Sequence, residues 1–295
     1  MKSTLWSVLL LTLAAAAPAS AAAADELFGY DASRPVKVVE KSSEKQGAVV
    51  VHDISFSDAS GGTMTAYLVT PERKGKRPFA AVLFVHWFGD PKTSNRTQFL
   101  GEAKELAEQG VVSLLVDMPW SVPGWFRNRQ LDDDYDFSIR QVKNLRRALD
   151  VLLSREGVDS SRVAYVGHDF GACYGAMMLG VETRVRAAVL MAATPVLTDW
   201  YLLGAKLEGE KRGNFIKRIA PLDPTNYIGK AKSVSVLFQF AKTDEYVTIE
   251  RAQMFADAAP PSRQLDWYDA GHELNAAAAA DRMRWLKAQL KLPAE

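Results

Sequence analysis

The residues Gly167-His168-Asp169-Phe170-Gly171 place an aspartate two positions from a glycine on either side. Before them, Arg162-Val163-Ala164-Tyr165-Val166 is a β-branched and aromatic run that reads as a buried strand. After them, Ala172-Cys173-Tyr174-Gly175-Ala176-Met177-Met178-Leu179 reads as a helix of small and apolar residues. A turn that passes straight from strand to helix needs small flanking residues, because its apex is strained and neighbouring chain passes close by. A carboxylate at that apex, with a reference pKa of about 3.9, is ionised at neutral pH and needs no base to become a nucleophile. The alternative is a surface turn in which Asp169 only caps the helix that follows.

Partners for such a nucleophile follow in the order acid, then histidine. Val234-Ser235-Val236-Leu237-Phe238-Gln239-Phe240 is an apolar strand, and the loop after it carries Lys242-Thr243-Asp244-Glu245. Gln264-Leu265-Asp266-Trp267-Tyr268 reads as the last strand and runs into Asp269-Ala270-Gly271-His272. Loops beyond the carboxyl ends of parallel strands gather on one rim of a sheet, so Asp169, Asp244 and His272 are expected to converge there. The chain has four histidines. His52 falls in an early alternating strand, His86 ends the strand Ala80–Val85 and supports its turn, and His168 points away from Asp169 in a normally built turn. His272 is therefore the expected base and Asp244 its orienting acid, with Asp269 as a fallback.

The elements needed to hold these groups are present. Residues 25–46 are a polar lead-in, 47–56 and 64–70 resemble an early hairpin, and 111–117 is a strand between helical patterns at 94–109 and 135–156. Helices at 247–258 and 274–291 complete the alternation. With 295 residues, 48% of them hydrophobic, the chain can bury a large core in one α/β domain spanning 25–295. A formal net charge of +1, with no basic stripe, argues against a nucleic-acid binder. Zinc-type spacing, phosphate loops and dinucleotide fingerprints are absent from the sequence, so no cofactor and no metal are expected. One cysteine excludes an internal disulfide. Met1-Lys2, the apolar run Leu5–Leu13 and Ala-rich sequence through Ala21 read as a secretory signal at 1–24, cleaved near Ala21 or Ala24. The expected product is a soluble protein, secreted or periplasmic, with a small-molecule substrate and no membrane partner after cleavage.

Segments 79–90, 162–180, 234–247 and 264–275 resemble the α/β-hydrolase superfamily. The order of elements, the Asp244 loop and Gly271-His272 are similar to the dienelactone-hydrolase and prolyl-oligopeptidase-like branch. The elbow Gly167-His168-Asp169-Phe170-Gly171-Ala172 instead resembles epoxide hydrolases and haloalkane or haloacetate dehalogenases. Cys173, four positions past the dienelactone-hydrolase nucleophile site, is a packed small residue. The resemblance implies a mostly parallel eight-stranded sheet flanked by helices, with only a short insertion at 195–232 where epoxide hydrolases and dehalogenases carry a full cap.

It also implies roles. Asp169 would attack an sp³ carbon to form an alkyl ester, His272 would activate the water that hydrolyses it, and Asp244 would stabilise the imidazolium. Oxyanion donors would be the Phe170 N–H and that of Trp87 or Phe88. Trp87, Phe88, Trp120, Trp125, Phe126, Trp200 and Tyr201 fall in rim loops or the insertion and are candidates to line an apolar pocket, or else pack beneath those loops. Indole N–H groups would hold a halide, and Tyr201 or Tyr227 would donate to an epoxide oxygen. Arg127 and Arg129 would bind a substrate carboxylate or pair with Asp132-Asp133-Asp134. Two other functions stay open: a dienelactone-hydrolase-like esterase or lactonase, and a non-catalytic binding protein.

Overall fold

In chain order the strands are β1 Val39–Gln46, β2 Val49–Ser57, β3 Thr63–Pro71, β4 Phe79–Val85, β5 Val111–Val116, β6 Val158–His168, β7 Ala187–Met191, β8 Ser235–Ala241 and β9 Arg263–Tyr268. The computed structural model describes residues 26–72 and 78–293, so the signal segment expected at 1–24 lies outside them. The strands form one sheet in the order β1-β2-β3-β5-β4-β6-β7-β8-β9. Pairing is antiparallel from β1 through β3 to β5 and parallel from β5 onward. This is an α/β-hydrolase-like fold.

β5 and β7 are buried at every position, and β4 and β8 at all but the first. Such runs are what a parallel sheet covered on both faces requires. Alternate residues divide between two cores: Ala81, Leu83, Val85, Leu114 and Tyr165 face one, while Ala80, Val82, Phe84, Leu115 and Val166 face the other. The first core packs against helices Asp134–Leu153, Phe170–Leu179 and Ile249–Asp257, the second against Leu100–Glu108 and Ala276–Gln289.

The sheet has nine strands where eight were expected, and the extra one lies in the segment read as a polar lead-in. β1, Val-Glu-Lys-Ser-Ser-Glu-Lys-Gln, is exposed over its first seven residues and shows no alternation. It is held by its backbone ladder to β2 rather than by burial, which leaves no hydrophobic pattern to read. Its charges also suit an edge that must not recruit another strand. β7, an unbroken apolar run of five residues, was likewise not placed from the sequence. Between β7 and β8 the insertion holds the helix Gly209–Ile219 and the four-residue helices Thr198–Tyr201 and Thr225–Ile228, in agreement with the short insertion expected.

Candidate active site

Asp169 stands at φ 56°, ψ −116°, between the last residue of β6 and the helix Phe170–Leu179. A non-glycine residue in that region is strained and persists only where its surroundings hold it. Here its N–H donates to Met191 O at 2.9 Å and its carbonyl accepts from Cys173 N at 2.9 Å. The glycines are required by contact: a Cβ on Gly167 would lie 2.6 Å from Gly171 O, and one on Gly171 would lie 2.5 Å from Val85 O.

Asp169 is 2% exposed. Its Oδ2 accepts the Phe88 N–H at 2.9 Å, and the Phe170 N–H also stabilises the carboxylate. Among the described residues Oδ1 has no hydrogen-bond partner. One expected oxyanion donor, the Phe88 N–H, thus meets an oxygen of Asp169 itself, and the other, the Phe170 N–H, acts on the same carboxylate. Burial pushes the carboxyl up to about 7, against the pull of the His272 charge and these two N–H groups.

The choice between Trp87 and Phe88 as second donor is made by Gln98. Its Oε1 accepts the Trp87 N–H at 2.9 Å, leaving Phe88 as the residue whose N–H meets Asp169. Gln98 Nε2 also bonds His168 Nδ1 at 2.8 Å, and His168 Nε2 bonds the His272 carbonyl at 3.0 Å. For the amide to donate to Nδ1, His168 must carry its proton on Nε2, which it then donates to that carbonyl. Burial holds the His168 pKa well below the usual value, in keeping with the neutral form. His168 thus joins the oxyanion loop, the elbow and the histidine loop, with its ring stacked on Trp87 at 5.3 Å.

His272, 5% exposed, is fixed by Asp244, whose Oδ2 and Oδ1 lie 2.9 and 3.1 Å from Nδ1. Asp244 also accepts the N–H groups of Tyr246 and Val247 through Oδ1. Burial works to raise the Asp244 pKa, but the His272 bond and charge and these N–H groups prevail and hold it below the usual carboxylate range. Burial works to lower that of His272, but the Asp244 bond and the charges of Asp169 and Asp244 prevail and raise it. Asp269, the fallback acid, pairs instead with Lys242 at 2.9 Å.

Asp169 and His272 open onto one cleft of about 690 Å³. Trp87, Phe88, Phe126, Phe170 and Trp200 line it. Trp120, Trp125 and Tyr201 do not. Trp120 is fully buried and donates its indole N–H to His86 O at 3.1 Å. Tyr201 is fully buried with its hydroxyl bonded to Ser138 and Tyr174. Trp125 packs on Phe88, Phe170 and Phe137 and borders a separate hollow with Val122 and Arg129. All three are the packing that supports the cleft wall. Tyr227 is also committed, donating to Pro221 O at 2.9 Å.

Sequence reasoning missed Leu203, Glu245, Tyr246, Glu273 and Leu274 in the lining. Four of these lie one or two positions past Asp244 or His272, a spacing that could have found them. Tyr246, Trp200 and Trp87 set their rings 5.1–5.6 Å from the His272 ring.

The remaining expectations resolve simply. His86 is buried, with Nδ1 donating to Trp87 O and Nε2 accepting the Met118 N–H, and burial lowers its pKa to about 4. His52 bonds Glu40 and Thr70 on the outer strands. Cys173 is buried, and burial pushes its thiol up to about 12, which suppresses the thiolate a nucleophile needs. Arg129 pairs with Asp134 at 3.3 Å rather than entering the cleft, and Arg127 is not in its lining. Among the described residues no group of three or more His, Cys, Asp or Glu side chains is arranged to hold a metal ion.

No family model matches this sequence, and no curated protein matches it. Solved structures do resemble the fold. Acetyl xylan esterase 1 from Thermoanaerobacterium sp. JW/SL YS485 superposes with a TM-score of 0.74 at 17% identity, covering 90% of this chain and 92% of that one. An acetyl xylan esterase from Paenibacillus sp. R4 gives 0.67 at 18% identity, covering 91% and 92%. A protein assigned as a dienelactone hydrolase, from Klebsiella pneumoniae subsp. pneumoniae MGH 78578, gives 0.60 at 16% identity, covering 83% and 99%. The fold is therefore α/β-hydrolase-like, similar to that of these esterase and dienelactone-hydrolase structures.

Proposed function

We propose that this chain is a cofactor-independent hydrolase that uses Asp169 as its nucleophile, through a covalent alkyl ester, on a small epoxide or organohalide. The observation that carries this reading is the division of labour in one carboxylate: Oδ2 sits on the Phe88 N–H while Oδ1 is unpaired. An oxyanion hole serves the carbonyl that becomes tetrahedral. When the hole already holds an oxygen of Asp169, that carbonyl is the one formed when Asp169 itself becomes an ester.

In the first step Oδ1 attacks an sp³ carbon, and the bonding pair leaves with halide or opens the epoxide. An opened epoxide oxygen takes a proton from a cleft-wall donor. Tyr246 occupies that wall and replaces Tyr201 and Tyr227, whose hydroxyls are engaged elsewhere. The Trp200 indole N–H has no oxygen or nitrogen acceptor, and only the weakly accepting Cys173 sulfur is beside it, so it is a donor for the departing atom.

Esterification removes the charge of Asp169, one of the causes that raise the His272 pKa. His272 thereby becomes more readily deprotonated when a base is needed. It takes a proton from water, the hydroxide attacks Cγ of Asp169, and Oδ2 carries the developing charge toward the Phe88 and Phe170 N–H groups. Collapse expels the alkoxide, which takes the proton held by His272. The second water proton, left on the Asp169 carboxyl, is released to solvent in the halide case or passed back to the deprotonated cleft-wall donor in the epoxide case, and the carboxylate is restored with one oxygen from water. Asp244 holds the ring and stabilises its charge throughout.

The test is His272→Phe mixed with candidate epoxides and alkyl halides, followed by intact-mass and peptide analysis. A stable adduct on Asp169 is expected; turnover or binding without any adduct would overturn the reading. The second reading, ester or lactone hydrolysis, is favoured by the likeness of the fold to acetyl xylan esterases. Against it stands the occupied hole, which leaves a substrate carbonyl without those donors. Ester turnover by the wild type that survives in the absence of any Asp169 adduct would select it.

A further inference from the structure

We infer that the cleft selects for a positively charged head group on an apolar body and rejects carboxylate-bearing substrates. The inference rests on this cleft being the substrate site of the proposed function. Among the described residues neither lysine nor arginine lines it, whereas Glu245 and Glu273 stand in its wall, with Asp169 on the floor and Asp244 just beneath. His272 is the one basic side chain in the lining. Cations near its borders are committed elsewhere: Lys242 to Asp269 at 2.9 Å, Arg251 to Asp199 at 3.0 Å, and Arg282 to Glu102. Arg129 lies over the Phe126 ring, donates to the Phe126 and Tyr201 carbonyls and pairs with Asp134.

Acidic groups at a rim are not a site by themselves. This cleft has two further properties that point to a ligand. The buried Oδ1 of Asp169 is unpaired, and the walls are aromatic, with Trp87, Phe126, Trp200 and Tyr246 among them. Indole and phenol faces attract ammonium groups, and the attraction grows as water is excluded. A volume of about 690 Å³ is in the range that takes a drug-sized molecule. Exposed Glu245 and Glu273 meet an incoming ligand before it reaches the floor, so their field acts on entry and on orientation. An anionic substrate must approach four carboxyl groups with His272, already held by Asp244, as the one basic partner, while a cation is drawn in by the same groups and held on the rings.

The experiment is equilibrium binding, which needs no turnover, so failure of the Asp169 chemistry and failure of this selection are read separately. Three probes share one shape: benzyltrimethylammonium, its uncharged isostere neopentylbenzene, and phenylmethanesulfonate. Each is titrated at low ionic strength into wild-type protein and into the E245Q/E273Q double variant, with Trp200→Phe reporting that binding is in the cleft. The cation is expected to bind about tenfold tighter than the neutral isostere, with the sulfonate weakest, and the double variant to lose most of that preference. A cation preference under threefold, a sulfonate that binds as well as the cation, or a preference unchanged in E245Q/E273Q or insensitive to W200F overturns the inference.

Discussion

The Phe88 N–H lies 2.9 Å from Oδ2 of Asp169, so the second oxyanion donor and the proposed nucleophile are already bonded before any ligand arrives. In a serine enzyme that donor would wait for the oxygen of a substrate carbonyl. Here it orients the carboxylate and, by fixing one oxygen, leaves the other free for the proposed attack.

Acid should silence the first chemical step well above the ordinary carboxylate range. The nucleophile is the ionised form, and burial raises the Asp169 pKa to about 7. The single-turnover rate of ester formation should therefore fall as pH drops below about 7. A limb near 4, the range of an unperturbed carboxylate, would contradict the burial argument.

Asp169→Asn should abolish turnover and stabilise the fold. A carboxyl whose pKa is higher folded than unfolded binds more protons in the folded state, so stability falls as pH rises from 3.8 to about 7 and the penalty is complete above that. That interval corresponds to about 4 kcal/mol. The raised value is already net of the opposing pull of His272, so a gain of up to about 4 kcal/mol at pH 8 is expected. Denaturant melts at pH 8 and pH 4 check this; the gain should be largest at pH 8 and nearly vanish at pH 4.

Asp244→Asn should separate the two steps. Loss of the carboxylate removes both the orientation of His272 and a charge that stabilises its protonated form. Ester hydrolysis should slow by about 10²–10⁴ while ester formation slows much less, so the adduct accumulates. Time-resolved intact mass reads both rates in one experiment.

Gln98→Leu should lower kcat with little change in KM. The substitution frees the Trp87 N–H and unties His168, so the Phe88 loop loses its register against Asp169, yet Gln98 is not in the cleft lining. A drop of about 10-fold in kcat is expected, with Gln98→Glu recovering part of it through an acceptor for Trp87. A rise in KM at constant kcat would show that Gln98 shapes binding instead.

Much of this site was legible in the sequence because its parts obey local rules. Gly167 and Gly171 mark a turn that tolerates no Cβ, and Asp244 and His272 follow the ends of β8 and β9, which a parallel sheet brings to one rim. Which N–H meets Asp169 was not legible, since it depends on the Gln98 side chain reaching Trp87 from eleven positions away. The fate of the aromatics was equally hidden. Trp200 and Trp120 are both nearly buried, but one borders the cleft and the other lies in the core, a difference fixed only by tertiary packing. β1 carries no hydrophobic signal at all, so only its pairing with β2 identifies it.

The central claim is that Asp169 is esterified and then regenerated by water attacking its own Cγ. Excess wild-type enzyme reacted once with substrate in ¹⁸O-water, followed by mass analysis of the peptide containing residue 169, tests it most directly. One ¹⁸O in the Asp169 carboxylate after a single turnover is the predicted result. Complete turnover with an unlabelled Asp169, the isotope appearing only in the released product, would contradict it.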